Sequence, residues 1–219
     1  MNKIYEVYNL LYSSFGKQGW WPLTIEGFES KHYAGRPKNS KHRFEIIVGA
    51  ILTQNTNWKN VEKALYNLSK NNLLGTDKII KAKKEKIASL IMPAGYYNQK
   101  AERLKIIAEF ISKNDNPTRE ELLAVKGIGS ETADSILLYA YEKPFFVIDA
   151  YTKRIFERLG FVASDYYGWQ KLFMDNLPKD VSLFKEYHAL LVELGKNYCK
   201  TKPICKECQL NSLCKQKIL

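Results

Sequence analysis

Four cysteines crowd the C-terminal end of a 219-residue chain, spaced as Cys199-x5-Cys205-x2-Cys208-x5-Cys214. Cysteines spread along an exported chain suggest disulfides, whereas four packed together with no export signal suggest a metal or cluster site. Four thiolates at this spacing can wrap a [4Fe-4S] cluster, and they can equally supply a tetrahedral zinc site. No histidine lies inside the loop, so a mixed Cys/His site is not expected. Around the cysteines stand Lys196, Lys200, Lys202, Lys206, Lys215 and Lys217 against one acid, Glu207, which would present cations to a phosphate backbone.

Two further groups of residues could do chemistry. Gly127-Ile128-Gly129 lies between two helical patterns in REELLAVKGIGSETADSILLYA. Glycines one residue apart allow a positive φ and let a foreign backbone come close. The amides of Ile128, Gly129 and Ser130 would then face outward at a helix start, where free N–H groups and the helix dipole attract an anion such as a DNA phosphate. An ordinary helix–turn–helix corner would look the same in sequence. Asp149 comes later, between the apolar run Phe145-Phe146-Val147-Ile148 and the helix AYTKRIFERLG. An ionised carboxylate there could stabilise a developing cation or orient a water, and it could also cap its helix.

The elements that must position these groups are helical. Ile4, Val7, Tyr8 and Leu11 keep the i, i+3, i+4, i+7 spacing of a buried helix face, and so do Phe44, Ile47, Val48 and Ile51, then Val61, Ala64, Leu65 and Leu68. Residues 16 to 40, rich in Gly, Pro, Lys and Ser, read as an ordered loop. Further helices are expected over 99–112, 118–125, 130–142, 150–159, 166–177 and 182–197. The run Phe145 to Ile148 is too short and isolated to build a sheet. The fold class is all-α. No stretch approaches the roughly 20 apolar residues that cross a bilayer, and MNKIYEVYNLLYSSF lacks the apolar block of a signal peptide, so a cytoplasmic protein with no membrane partner is expected. The charge is +11, from 34 Lys+Arg against 23 Asp+Glu, which favours a polyanionic partner.

The order KGIGSETA, VIDAYTKR and a late four-cysteine loop resembles the helix-hairpin-helix DNA glycosylases of the endonuclease III superfamily. The resemblance implies two helical domains with a DNA-binding cleft between them, a helix-hairpin-helix motif, and a target nucleotide turned out of the duplex. We expect one domain over 42–143, ending in the hairpin, and a discontinuous one from 1–41 plus 144–219, carrying the cysteine loop. By this mapping Asp149 is the catalytic aspartate, and Gly127, Ile128, Gly129 and Ser130 hold DNA. Gln54, in AILTQNTNW, and Tyr96, in AGYYNQKA, enter the base stack. The metal group is a [4Fe-4S] cluster on Cys199, Cys205, Cys208 and Cys214, with zinc as the alternative; the family pattern has six residues between the first two cysteines and this chain has five. The partner is double-stranded DNA containing a damaged base, bound by a monomer.

One departure sets the chemistry. Family members that also cut the strand carry a lysine two residues after the second hairpin glycine, where this chain has Glu131. A carboxylate cannot form the Schiff base that β-elimination requires, so a monofunctional glycosylase is expected. Lys126 and Lys153 are nearby in sequence and keep a bifunctional glycosylase/AP lyase for oxidised pyrimidines as an alternative. A non-catalytic DNA-binding iron-sulfur or zinc module is the other. The segments GWWPL, ILTQNTNW, PAGYYNQKAERL and KGIGSETAD resemble most the 3-methyladenine glycosylase branch. Trp20 and Trp21 could there supply aromatic faces for a cationic alkylated purine, or simply pack in the core. His32, His42 and His188 show no ligand spacing and are expected to be structural or surface residues.

Overall fold

A computed structural model describes residues 2–24 and 36–215, and His32 and Lys217 lie outside the described residues. The described chain is all-helical, with no strand. It divides into a continuous unit, Trp21–Glu142, and a discontinuous unit, Met1–Trp20 with Lys143–Leu219. The units divide between Glu142 and Lys143, and the continuous unit begins at Trp21. The cause is Trp21 itself. Its ring meets Trp58 and Tyr139 edge-on, at centroid distances of 5.3 and 5.2 Å. A Cβ on Gly49 would come within 2.9 Å of that ring, so the glycine makes room for it. Thr24 adds a second tie, donating its amide and hydroxyl to the buried Glu45 carboxylate.

The continuous unit is built around α2 (Ser40–Leu52), buried on every side from Phe44 to Leu52, as a central helix must be. Against it pack α3 (Trp58–Lys70) and α6 (Tyr97–Lys113), while α4 (Thr76–Lys81) and α5 (Lys84–Leu90) pack in turn on α6. A 3-10 turn over Met92–Ala94 leads into α6. Then α7 (Arg119–Leu123) opens on a capping box, Thr118 and Glu121 each bonding the other's amide. It is followed by α8 (Ser130–Ser135), which continues as a π-helical turn over Ile136–Ala140. Arg119 on α7 grips the fully buried Asp134 on α8 with two hydrogen bonds of 2.6 and 2.9 Å, fixing the angle of the hairpin. Such a bidentate pair in a dry setting satisfies both charges at once.

In the discontinuous unit, α1 (Lys3–Phe15) packs against α11 (Val181–Asn197), and α9 (Ala150–Arg158) packs on α11 as well. An aromatic cluster of Phe146, Phe156, Phe173, Phe184 and Tyr187 fills the core, with α10 (Tyr166–Asn176) supplying Phe173. The run ending at Ile148 is extended and buried without belonging to a sheet. Its backbone finds side chains instead: Gln170 donates to the Phe146 carbonyl at 2.8 Å, and the Tyr166 hydroxyl accepts from the Ile148 amide.

Candidate catalytic carboxylate, hairpin and cysteine loop

Asp149 is placed by that extended run and by the helix that follows. It is the N-cap of α9, its Oδ1 accepting the Thr152 amide at 2.7 Å. Its other oxygen lies 3.6 Å from Nε2 of His188 on α11, and its side chain keeps 12% of its surface exposed. Burial pushes this carboxyl up; the neighbouring His188 imidazole, with the Thr152 contacts, outweighs it and holds the group below its ordinary value. A carboxylate so held is ionised at neutral pH.

His188 is not legible in the sequence as a partner of Asp149, because the two are far apart along the chain. The packing of α9 on α11 brings them together. Gly195 stands two turns beyond His188 on the same face of α11, and a Cβ there would come within 2.5 Å of the Tyr151 ring on α9. The missing side chain lets the helices approach closely enough for His188 to reach the N-terminus of α9. Replacing His188 by Gln is expected to leave burial as the dominant influence, so the Asp149 pKa rises and the acid limb of the kcat/KM profile moves to higher pH. Profiles of the two proteins between pH 4 and 8 check this, and superimposable acid limbs would refute the pairing.

In the hairpin the two glycines have different jobs. Gly127 has φ +87°, and a Cβ there would meet the Arg103 side chain at 2.6 Å, so both backbone and packing require glycine. Gly129 has φ −95° and nothing within 4 Å of where its Cβ would stand. It is the open position, where a second backbone could approach. Ser130 starts α8, and Glu131 is exposed on its first turn, where an acid suits the helix dipole. Of the two nearby amines, Lys126 pairs with Glu102 at 2.8 Å, and Lys153 stands over the Tyr166 ring at 5.8 Å.

Gln54 is hydrogen-bonded to the hairpin. Its Nε2 donates to the Gly127 carbonyl at 3.2 Å and to the Thr132 hydroxyl at 2.9 Å, and its Oε1 accepts from Arg103. It ties the end of α2 to the hairpin. The next residue, Asn55, is exposed with φ +54°. Tyr96 is 65% exposed with φ +46°, immediately before α6. Both loop tips, like Asn72 after α3, therefore carry an exposed residue in the left-handed region, which is costlier for a tyrosine than for an asparagine. Trp21, at 6% exposure, belongs to the core, and Trp20 is half-buried. His42 is buried, its Nδ1 accepting the Lys38 amide.

The four cysteines line one pocket together with Arg158, Tyr198, Pro203 and Asn211. The loop is docked by α9. Arg154 donates to the carbonyls of Cys199 and Gly195, and Arg158 to those of Lys200 and Thr201 and to the Cys199 sulfur at 3.2 Å. Thus α9 carries the carboxylate at one end and the cysteine loop at the other. Burial pushes the Cys208 thiol up, against a lowering backbone bond from Leu210, and the other three cysteines push it further up. Sulfurs that oppose each other's ionisation need a bound cation to become four thiolates, which is the chemistry of a metal-holding set. No three cysteine, histidine or carboxylate groups among the described residues are drawn together closely enough to hold a single ion. No described helix is long and apolar enough to cross a membrane.

Comparison with known proteins agrees with this arrangement. Residues 48–179 match the HhH-GPD superfamily base excision DNA repair protein family. A Methanocaldococcus jannaschii protein named "Putative DNA repair glycosylase MJ1434" is 43% identical over 229 residues, covering 98% of this chain and 96% of its own. Endonuclease III of Thermotoga maritima is 33% identical over 187 residues, covering 81% and 86%. The crystal structure of the H. pylori 3-methyladenine DNA glycosylase bound to 1,N6-ethenoadenine has a TM-score of 0.74 at 29% identity, covering 88% of this chain and 97% of that one.

Proposed function

This chain belongs to the HhH-GPD superfamily of base excision DNA repair proteins and is a DNA glycosylase by family, and we propose that it is monofunctional and removes an alkylated purine. The observation that carries the proposal is the occurrence of an ionised Asp149, its side chain 12% exposed, together with an acid, Glu131, where a Schiff-base amine would be needed. Cleavage of an N-glycosidic bond builds positive charge on the sugar as the base leaves. Asp149 stabilises that charge and holds the attacking water, taking up its proton, and His188 keeps the carboxylate ionised. Amides of Gly129 and Ser130 hold a phosphate at the open face of the hairpin; the Ile128 amide, expected to join them, instead donates to the Val125 carbonyl at 3.1 Å. Tyr96 and Asn55 enter the duplex; Gln54 would first have to give up its bonds to the hairpin, so its part is to hold that loop.

A purine alkylated at N3 or N7 is already cationic and departs readily, so selection falls to the pocket. The likeness to the H. pylori enzyme supports this class. The half-buried Trp20 provides the aromatic face, while Trp21 stays in the core. The cysteine set suits a [4Fe-4S] cluster held by Cys199, Cys205, Cys208 and Cys214, which would stiffen the loop and place its lysines. A brown protein absorbing near about 400 nm separates this from zinc.

The likeness to an endonuclease III favours one second reading, a lyase acting through Lys126 or Lys153. Duplexes carrying alkylated purines, oxidised pyrimidines or mismatches, scored with and without alkali, distinguish the two. We expect base release from the alkylated purine, strand breaks only after alkali, and no borohydride-trapped adduct. A trapped protein–DNA adduct would establish the lyase.

A further inference from the structure

Lys100, on the first turn of α6, is 1% exposed. Its Nζ donates to the carbonyls of Leu52 and Ala94, each at 2.8 Å. Leu52 is the last residue of α2 and Ala94 the last of the 3-10 turn before α6. Carbonyls at helix ends lack helical partners and carry the negative end of the dipole, so a buried ammonium between two of them satisfies both. One nitrogen thereby holds two helix ends no further apart than twice that bond length. Asn55 comes just after Leu52 in the chain, and Tyr96 just after Ala94. The lysine backbone joins in, its amide donating to the Tyr96 carbonyl at 3.0 Å. One turn along α6, Arg103 fixes Gln54 against the hairpin.

A buried lysine is costly, and a methionine would fill the same volume at less expense in desolvation. Here burial, with the neighbouring Arg103 guanidinium, lowers its pKa to about 8. Packing alone does not call for such a residue. The two carbonyls do, because they sit at the roots of the two loop tips that the proposed function sends into DNA.

We infer that Lys100 is a positioning residue that locks the roots of the Asn55 and Tyr96 tips together, so that both enter the duplex as one rigid wedge. This rests on the reading that those tips enter the duplex. The left-handed Tyr96 backbone is then a conformation held by its surroundings, ready for insertion without a further ordering cost.

The test uses the full chain and a duplex with a tetrahydrofuran abasic analogue facing 2-aminopurine, whose fluorescence rises when it is unstacked. Wild-type protein is expected to produce that rise, Tyr96→Ala to lose most of it, and Lys100→Met to lose it as well while still binding the duplex. Glycosylase kcat for Lys100→Met should fall about 10²-fold, the scale of a misplacement near one ångström, with KM little changed. The Lys100→Met/Tyr96→Ala double variant should be no worse than the poorer single variant, because the lysine acts through the tip. Should Lys100→Met lack a cooperative melt, Lys100→Gln, which keeps donors on a shorter stem, is read in the same cycle and should recover part of the signal. A full fluorescence rise in a destabilised Lys100 variant, or additive losses in the cycle, would overturn the assignment. No rise with the wild type would overturn the insertion reading beneath it instead.

Discussion

Replacing Asp149 by Asn is expected to lower kcat for base release by about 10²–10⁴-fold, the range typical of a lost positioned acid or base. Folding should hardly change. Asn caps helices about as well as Asp, so the bond to the Thr152 amide survives, and the change in stability should stay within about 1 kcal/mol. Duplex affinity should be kept too, since the phosphate-holding amides belong to the hairpin. Melting curves, binding to an abasic-analogue duplex and single-turnover base release, measured on one preparation, check the three statements. Retained base release would remove Asp149 from the mechanism. A large drop in melting temperature would instead make it a structural cap.

This separation is informative because the proposed function gives the carboxylate a second task beside capping, and one substitution divides the two. Capping needs only an acceptor oxygen. Stabilising an oxocarbenium-like sugar and accepting a proton from water need the negative charge. The His188 contact matters only for the second, so His188→Gln and Asp149→Asn should both spare the melt while acting on different features of the rate: the first on its pH dependence, the second on its size.

Much of this is readable from sequence because local rules set it. The apolar stripes mark the helices of both units. Asp149 after an apolar run and before AYTKRIFERLG marks the cap, and Gly127 and Gly129 mark the hairpin. What is not readable depends on distant partners. Gln54 and Asn55 are adjacent amides of similar chemistry, and only the bonds to Gly127, Thr132 and Arg103 show which one is turned inward. The role of His188 depends on how closely two helices pack. Its one local signal is a histidine in the apolar stripe Phe184, Tyr187, Leu191, with Gly195 two turns further on. Lys100 reads as one more cation in a basic chain, although it lies beside the inward-facing Ala101 of its helix. Trp21 could line a pocket or fill a core, and Gly49 opposite its ring decides for the core.

Removing the proposed metal group should have a large but local effect. Cys208→Ser is expected to abolish the visible absorbance and to open the chain between Lys202 and Cys214, which contributes little apolar burial beyond Leu210. Trypsin should then cut at the exposed Lys206 before anywhere else, and not at Lys202, whose bond to Pro203 resists it. The stretch before them stays docked, because Arg158 still holds the Lys200 and Thr201 carbonyls. Structural metal sites can contribute about 10 kcal/mol or more to the segment that they fold, so opening should be nearly complete. The aromatic core around Phe146, Phe173 and Tyr187 owes nothing to the loop and should keep Asp149 in place. Base release under saturating DNA at low salt should therefore survive, while duplex affinity falls and depends less steeply on salt, because lysines no longer held in position neutralise fewer phosphates. Limited proteolysis, hydrogen exchange and binding at two salt concentrations check this. Unchanged trypsin resistance in Cys208→Ser would mean that the loop is held by α9 alone, and a global loss of exchange protection would mean that the cysteine loop holds the whole unit together.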